Sequence, residues 1–479
     1  MRDYSPKRRT ALLFTGSGTT GAYHAGVLRA LDESGVKIDL VVGSGIGAVA
    51  AAFAAVGGGP KLYGHGGFWE RVRWSSFYRL RPTVRLALGL LGVSFAIMAL
   101  PVLLGLLLGI LSPLLLIADR VFPGVASRAL SLLWVAPERL SGPYLAAQAL
   151  PVFALALLAL AAAGVVYSRD RRRFAEAFES FLDAGPGLER LKRSLWAVAR
   201  GVALSGGAPS EAELGRRYVA LLSENLGEPG FRELVLRAAD LDRGDALAFT
   251  LLGDGRSPAG EGALADAVDL RASGSDALLF DALATGLLCP MAMPLRRVSF
   301  PKGGVHAGET HRLTDATFSG GCGIREALAA GAEQLIVVTG VPETVGPLAR
   351  RRGPLARLDG AVRALERRAA GEVDDAWRVN RMLGALAPRG GRGSWEDPAT
   401  GRAYGEVDLW VIRPERRALG PMELDGASDP STEVLQTTDD LLELGFRDAY
   451  RQFVEPVVGQ SPLPQREEGK YRDTQPVEL

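Results

Sequence analysis

The sequence predicts a three-layer α/β domain with a mainly parallel sheet, into which an α-helical transmembrane hairpin is inserted. Three observations carry this. Residues 11–56 run twice through an apolar stretch, a glycine turn and a helix-patterned segment. A further helix-then-strand pair, Ile324–Ala330 and Leu335–Thr339, returns late in the chain. Between them lie two long runs without a charged residue, Leu86–Ala118 and Leu145–Tyr167. Strands alternating with helices point to a parallel sheet covered on both faces, with its site at the carboxyl ends of the first strands.

The opening stretch reads as strand (Ala11–Thr15), glycine loop (Gly16-Ser17-Gly18-Thr19-Thr20-Gly21), helix (Ala22–Ser34), apolar run (Ile38–Val42), glycine elbow (Gly43-Ser44-Gly45-Ile46-Gly47) and helix (Ala48–Val56). Small residues at both strand ends let backbone N–H groups converge on one space, where they can hold an anionic or polarised oxygen.

Gly16–Leu28 (GSGTTGAYHAGVL) followed by Ile38–Ala48 (IDLVVGSGIGA) resembles the opening of a patatin-like phospholipase domain. The resemblance implies an oxyanion loop at Gly16, Gly18, Thr19, Thr20 and Gly21, with Thr20 standing where the family has a basic residue. It implies a G-x-S-x-G elbow with outer glycines Gly43 and Gly47. The serine position is then Gly45, and a serine, Ser44, stands one place early. It implies further that Asp315, in Thr314-Asp315-Ala316-Thr317, is the acid of a Ser-Asp dyad, followed by Ala316 where the family has glycine. More loosely, Phe231–Leu252 resembles the family's strand and hairpin partner. Asp281–Pro294 resembles its helix and pocket loop, and Leu441–Phe453 its terminal helix.

An elbow works because one residue at a strained apex aims its side chain at the substrate, and glycine there offers no nucleophile. Three departures, Thr20, Gly45 and Ala316, fall on the three catalytic motifs. The leading expectation is therefore a membrane-anchored, catalytically degenerate patatin-like protein that binds lipid or acts as a scaffold or regulator. The alternative is an active lipid acyl hydrolase using Ser44, or another serine such as Ser17, with Asp315. A remote alternative is dinucleotide binding, since Gly16-x-Gly18-x-x-Gly21 is a literal fingerprint. Its acidic partner is misplaced, because Asp39 stands at the start of the second strand rather than its end.

A formal charge of +1 gives no electrostatic reason for a nucleic-acid partner. The 2 cysteines, Cys289 and Cys322, have no metal or disulfide spacing, and the 4 histidines, His24, His65, His306 and His311, are scattered. No metal or cofactor is expected. Membrane lipid is the expected partner, and a protein partner is left open.

After the second helix, residues 57–82 mix Phe68, Trp69, Trp74, Phe77 and Tyr78 with Arg71, Arg73, Arg79 and Arg81, a composition suited to a membrane–water interface. The run 86–118, about 50 Å long as a helix, exceeds the roughly 30 Å of a hydrocarbon core, and Pro101 and Pro113 can kink it. The run 145–167 is one span. Arginines flank the pair outside both ends (Arg79, Arg81, Arg85; Arg169, Arg171, Arg172, Arg173), which predicts an inner-membrane protein with its globular part on the cytoplasmic side. The domains are thus 1–82 and 169–458 of one α/β domain, an inserted hairpin at 83–168, and a polar tail, 459–479, expected to be disordered. Helical spacing marks Phe174, Phe178, Phe181, Leu188, Leu191, Leu195 and Val198. The stretches Pro347–Ala369 and Pro388–Thr400 read as exposed helix or loop, and Val407–Arg413 as a strand.

Overall fold

The computed structural model describes residues 4–82, scattered positions between 84 and 124, and 180–459 except 201–206, 254–261, 290–291, 344–353, 388–392, 397, 399–402, 417–418 and 429–433. The chain divides into two compact units, Met1–Arg79 with Ala184–Leu479, and Leu80–Asp183.

The first unit is built on strands β1 (Thr10–Gly16), β2 (Leu40–Gly45), β3 (Glu233–Asp240), β4 (Asp245–Leu251), β5 (Val268–Asp269), β6 (Arg296–Ser299), β7 (Thr310–Asp315), β8 (Gln334–Thr339) and β9 (Asp408–Ile412). They form one sheet in the order β9-β8-β1-β2-β3-β4-β5, with β7 beside β3 and β6 beside β7. The β9–β8, β8–β1, β1–β2, β2–β3 and β4–β5 pairs are parallel, and β3–β4, β3–β7 and β6–β7 are antiparallel. The central strands β1 and β2 are buried throughout, as strands covered on both faces are.

Helices α1 (Thr20–Glu33), α2 (Gly47–Ala55), α3 (Gly185–Ala199), α4 (Glu211–Glu224), α5 (Leu279–Thr285), α6 (Ile324–Ala329), α7 (Pro354–Leu386) and α8 (Thr438–Ala449) surround the sheet. Alternate strand residues meet opposite faces. Ala11, Leu13, Leu40 and Val42 pack with Ile324 and Ala327 of α6 and Val373 of α7. On the other face Phe14 meets His24 of α1. The residues of α2 (GAVAAAFAA) are all buried, consistent with a helix that is apolar all round.

Two expectations change. The aromatics of residues 68–78 belong to the core: Phe68, Trp69, Phe77 and Tyr78 are buried. Trp69 and Phe77 stack at 5.4 Å, and Phe68 lies against Phe53 of α2. The neighbouring Arg71, Arg73 and Arg79 are the exposed members, so the stretch is amphipathic toward the domain. The arginine-rich stretch 347–369 is the second. From Pro354 it forms α7, whose Val362, Glu366, Ala369 and Val373 are buried at helical spacing on one face.

In the second unit, the described positions from 82 to 120 are helical, with Leu88, Phe95, Leu103, Leu106, Leu107, Ile110 and Ile117 exposed. The Arg81 N–H donates to the Phe181 carbonyl, so the two ends of this unit meet. Among the described residues no helix is long and apolar enough to cross a membrane. The expected span 145–167, most of 86–118, Phe174, Phe178 and the tail after Gly459 lie outside the described residues.

Candidate active site

Strand register assembles the site. Gly16, the last residue of β1, pairs with Gly45, the last of β2, and Ser44 pairs with Arg237 of β3. One residue further along β3, Ala238 pairs with Asp315. Thus β7 takes over the β3 edge where β2 stops, and it delivers Asp315 to the elbow. Paired residues share a face and successive residues alternate. Gly45 and Asp315 therefore face one side, and Ser44 and Arg237 the other.

Gly45 has φ +62°, a conformation that favours glycine, and Ile46 follows it into α2. A Cβ on Gly45 would stand 2.8 Å from Asp315 Oδ1 and 2.3 Å from the Gly16 carbonyl oxygen. A side chain at the apex thus meets the Gly16 backbone first and the Asp315 carboxylate second. Gly43 lies close against Ala48, and Gly47 against the Phe14 carbonyl, which seats α2 tightly behind the elbow. We expect Gly45→Ser to lose about 1–3 kcal/mol of stability through backbone strain and overpacking. An unfolding midpoint equal to wild type would show that the Gly16 carbonyl and the Asp315 side chain both yield freely.

The serines separate. Ser44 Oγ accepts from Arg237 Nη1 at 3.1 Å, on the face away from Asp315. The hydroxyl that meets Asp315 is that of Ser17, which donates to Oδ2 at 3.0 Å. Asp315 Oδ1 accepts the Thr317 N–H at 2.8 Å. Burial pushes Asp315 up to about 7 against these hydrogen bonds, and the Glu366 charge adds to the rise. Nearby, burial pushes the Cys289 thiol up to about 12 and raises the Tyr78 hydroxyl, so neither supplies an anionic nucleophile. His24 is buried against the Thr15 carbonyl, and burial lowers it to about 3, so its ring is neutral.

The glycine loop is engaged from within the chain. The Ser17 N–H donates to Glu366 Oε1 at 2.8 Å, and the Thr20 hydroxyl reaches the same oxygen at 3.3 Å. This places a carboxylate at the N-terminal end of α1, where a helix favours negative charge. The Thr19 N–H donates to the Pro421 carbonyl at 3.0 Å, and its hydroxyl donates to the Gly420 carbonyl at 2.8 Å. Gly18, at φ +55°, lies so near Pro421 that a Cβ would stand 1.8 Å from its carbonyl oxygen. Gly21 gives room to the Trp69 ring. The space that a bound pyrophosphate needs beside Gly18 holds the 420–421 backbone instead. Asp39 serves the other end of the sheet, accepting the Thr10 N–H at 3.0 Å.

Sequence reasoning did not single out Glu366, Arg237 or Pro421. The first was concealed by its arginine-rich surroundings. The other two act at long range with no local motif: Thr19 meets Gly420, the residue before Pro421, across 401 positions, and Ser44 meets Arg237 across 193.

Residues 12–116 match the model of the patatin-like phospholipase family. The match takes in the glycine loop and the elbow and ends before Asp315. No curated protein matches the chain.

Proposed function

We propose that this is a membrane-anchored patatin-like protein that does not hydrolyse lipid through its elbow, and that it binds lipid or acts as a scaffold or regulator. The observation that carries this reading is Gly45, with the Asp315 carboxylate 2.8 Å from the point where a nucleophile's Cβ would stand. Two amides of the glycine loop support it, since both are taken by Glu366 and Pro421 and not turned to a substrate oxygen. Loss of one member of a hydrolytic unit removes most of its rate enhancement. The anchor rests on the uncharged runs 86–118 and 145–167 with their flanking arginines, and puts the α/β domain on the cytoplasmic side of the inner membrane. Release of the protein by an alkaline carbonate wash would overturn the anchor.

A second reading has one observation in its favour. Ser17 and Asp315 are joined at 3.0 Å, and a carboxyl titrating near 7 suits a general base at neutral pH. In this reading the protein is an acyl hydrolase whose Ser17 becomes active once Glu366 leaves the loop amide. Labelling with a fluorophosphonate serine probe separates the two. Detergent-purified wild type, Ser17→Ala, Ser44→Ala and Glu366→Gln are compared. The first reading expects no labelling in any of them. Labelling of wild type or Glu366→Gln that vanishes when Ser17→Ala is added establishes the second and overturns the first.

A further inference from the structure

At the far end of the strand that carries Asp315, a second cluster of side chains is assembled. It stands apart from the elbow and from the resemblance. His306 and Glu309 lie in the loop between β6 and β7, and His311 is the second residue of β7. Both rings are buried, 5% and 6% exposed, while Glu309 reaches solvent. One donor atom from each of the three falls within 4.8 Å of the others.

The outer nitrogens of the two rings already have acceptors. His311 Nδ1 lies 2.5 Å from Oδ2 of the buried Asp240, and His306 Nε2 lies 3.2 Å from the Asp266 carbonyl. A neutral imidazole has one N–H. With that hydrogen directed outward on each ring, the inner nitrogens, His311 Nε2 and His306 Nδ1, carry lone pairs. They stand 2.8 and 3.8 Å from the same oxygen, Oε2 of Glu309. In that tautomer two lone pairs and a carboxylate face one another, a set of donors that one cation can bridge.

A proton on His311, whose two nitrogens face the Asp240 and Glu309 carboxylates, satisfies part of that set but leaves His306 out. Arg243 Nη1 lies 3.3 and 3.5 Å from the His306 nitrogens, and its charge is offset by its pairing with Asp266. A divalent ion between the inner donors leaves both rings neutral and places its charge among Glu309, Asp240 and Asp266. An imidazole that gives its outer N–H to a carboxylate or backbone carbonyl is the usual arrangement of a metal ligand, because that bond fixes the tautomer and aims the lone pair. Two imidazoles and a carboxylate are a zinc donor set, with ligand bonds of about 2.0–2.2 Å and a fourth position left for water. The exposed Glu309 side chain is free to make the small adjustment that such bonds need.

We propose that His306, Glu309 and His311 form a binding site for a divalent transition-metal ion of the zinc class, with Asp240 and the Asp266 carbonyl orienting the two rings. The ion ties the loop before β7 to the ends of β3 and β7. It thereby fixes the strand that holds Asp315.

The test uses the untagged full-length chain in detergent, stripped with a chelator and then dialysed against zinc chloride alone. Wild type, His311→Ala, Glu309→Gln and a His65→Ala control are compared by bound zinc and by unfolding midpoint. His65 is fully exposed and outside the cluster. One zinc per wild-type chain is expected, with a midpoint raised by zinc. Affinity should fall at least about tenfold in His311→Ala and Glu309→Gln and stay unchanged in His65→Ala. Glu309→Gln alters an exposed side chain and so separates loss of metal from loss of fold. Absence of zinc from wild type, or a loss smaller than tenfold in Glu309→Gln, overturns the proposal.

Discussion

Replacement of Arg237 by methionine is expected to destabilise the α/β domain by about 3–5 kcal/mol, the usual cost of removing one partner from a buried ion pair. Arg237 lies at the centre of β3 with its side chain 2% exposed, and its partner Glu326, 2.7 Å away, is 7% exposed. The guanidinium also donates to the carbonyls of Gly321 and Gly320, at 2.8 and 3.1 Å, and to Ser44 Oγ. Methionine fills much of the volume but satisfies none of these groups, and it leaves the Glu326 carboxylate buried without its counter-ion. The loss arises from the orphaned partners rather than from the pair itself. Hence Arg237→Met with Glu326→Leu should recover a large part of the stability lost in the single variant. The check is the unfolding midpoint of the single and double variants in the same detergent. A single variant within about 1 kcal/mol of wild type, or a double variant no better than the single, contradicts this account of the buried arginine.

The second large effect concerns pH. Asp315→Asn should be more stable than wild type at neutral pH, by an amount that grows from about pH 4 to about pH 7 and is constant above. The wild-type carboxyl is raised from 3.8 to about 7 in the folded protein, first by burial. A group raised on folding contributes fully below its unfolded pKa, and that contribution is lost as the pH rises through the folded value. The shift corresponds to about 4 kcal/mol between the two limits. Asparagine does not ionise, so it escapes this loss. Its carbonyl oxygen still accepts the Thr317 N–H, and its amide donates to a Ser17 hydroxyl turned to accept. Thermal unfolding of both proteins across pH 4–8 measures the difference directly. A difference independent of pH would mean that Asp315 ionises in the folded protein as easily as in the unfolded chain.

The parts of this site that were legible in the sequence are local. The glycine loop and elbow declare themselves because each special backbone conformation needs glycine at a fixed offset, as at Gly18 and Gly45. The strand expected at Leu335–Thr339 was readable from the apolar run Leu335–Val338, and it forms over Gln334–Thr339. Asp315 came from the resemblance, and β7 does bring it against Gly45. What escaped depends on long-range packing. Glu366 sits among arginines, and only the buried face of α7 distinguishes it from a solvated charge. Phe68, Trp69 and Phe77 share a stretch with four arginines, and composition alone does not tell whether aromatic rings meet lipid or a domain core. The choice between Ser17 and Ser44 turned on strand alternation. Ser44 is still within β2 and takes its turn on the far face, whereas Ser17 lies beyond the end of β1.

The paired ends of β1 and β2 have a consequence for descent as well as for chemistry. At the tip of β2, Gly45 leaves room for the Gly16 carbonyl of its neighbour strand and for an acid from a third strand. A codon change that introduces serine at 45 meets both neighbours at once. A carrier of the new hydroxyl is then less stable than its parent before the hydroxyl can do anything. A side chain there needs the Gly16 carbonyl and the Asp315 carboxylate to give way together. Two neighbours that must move at once make any single substitution there costly, so selection for stability alone should keep glycine at this position.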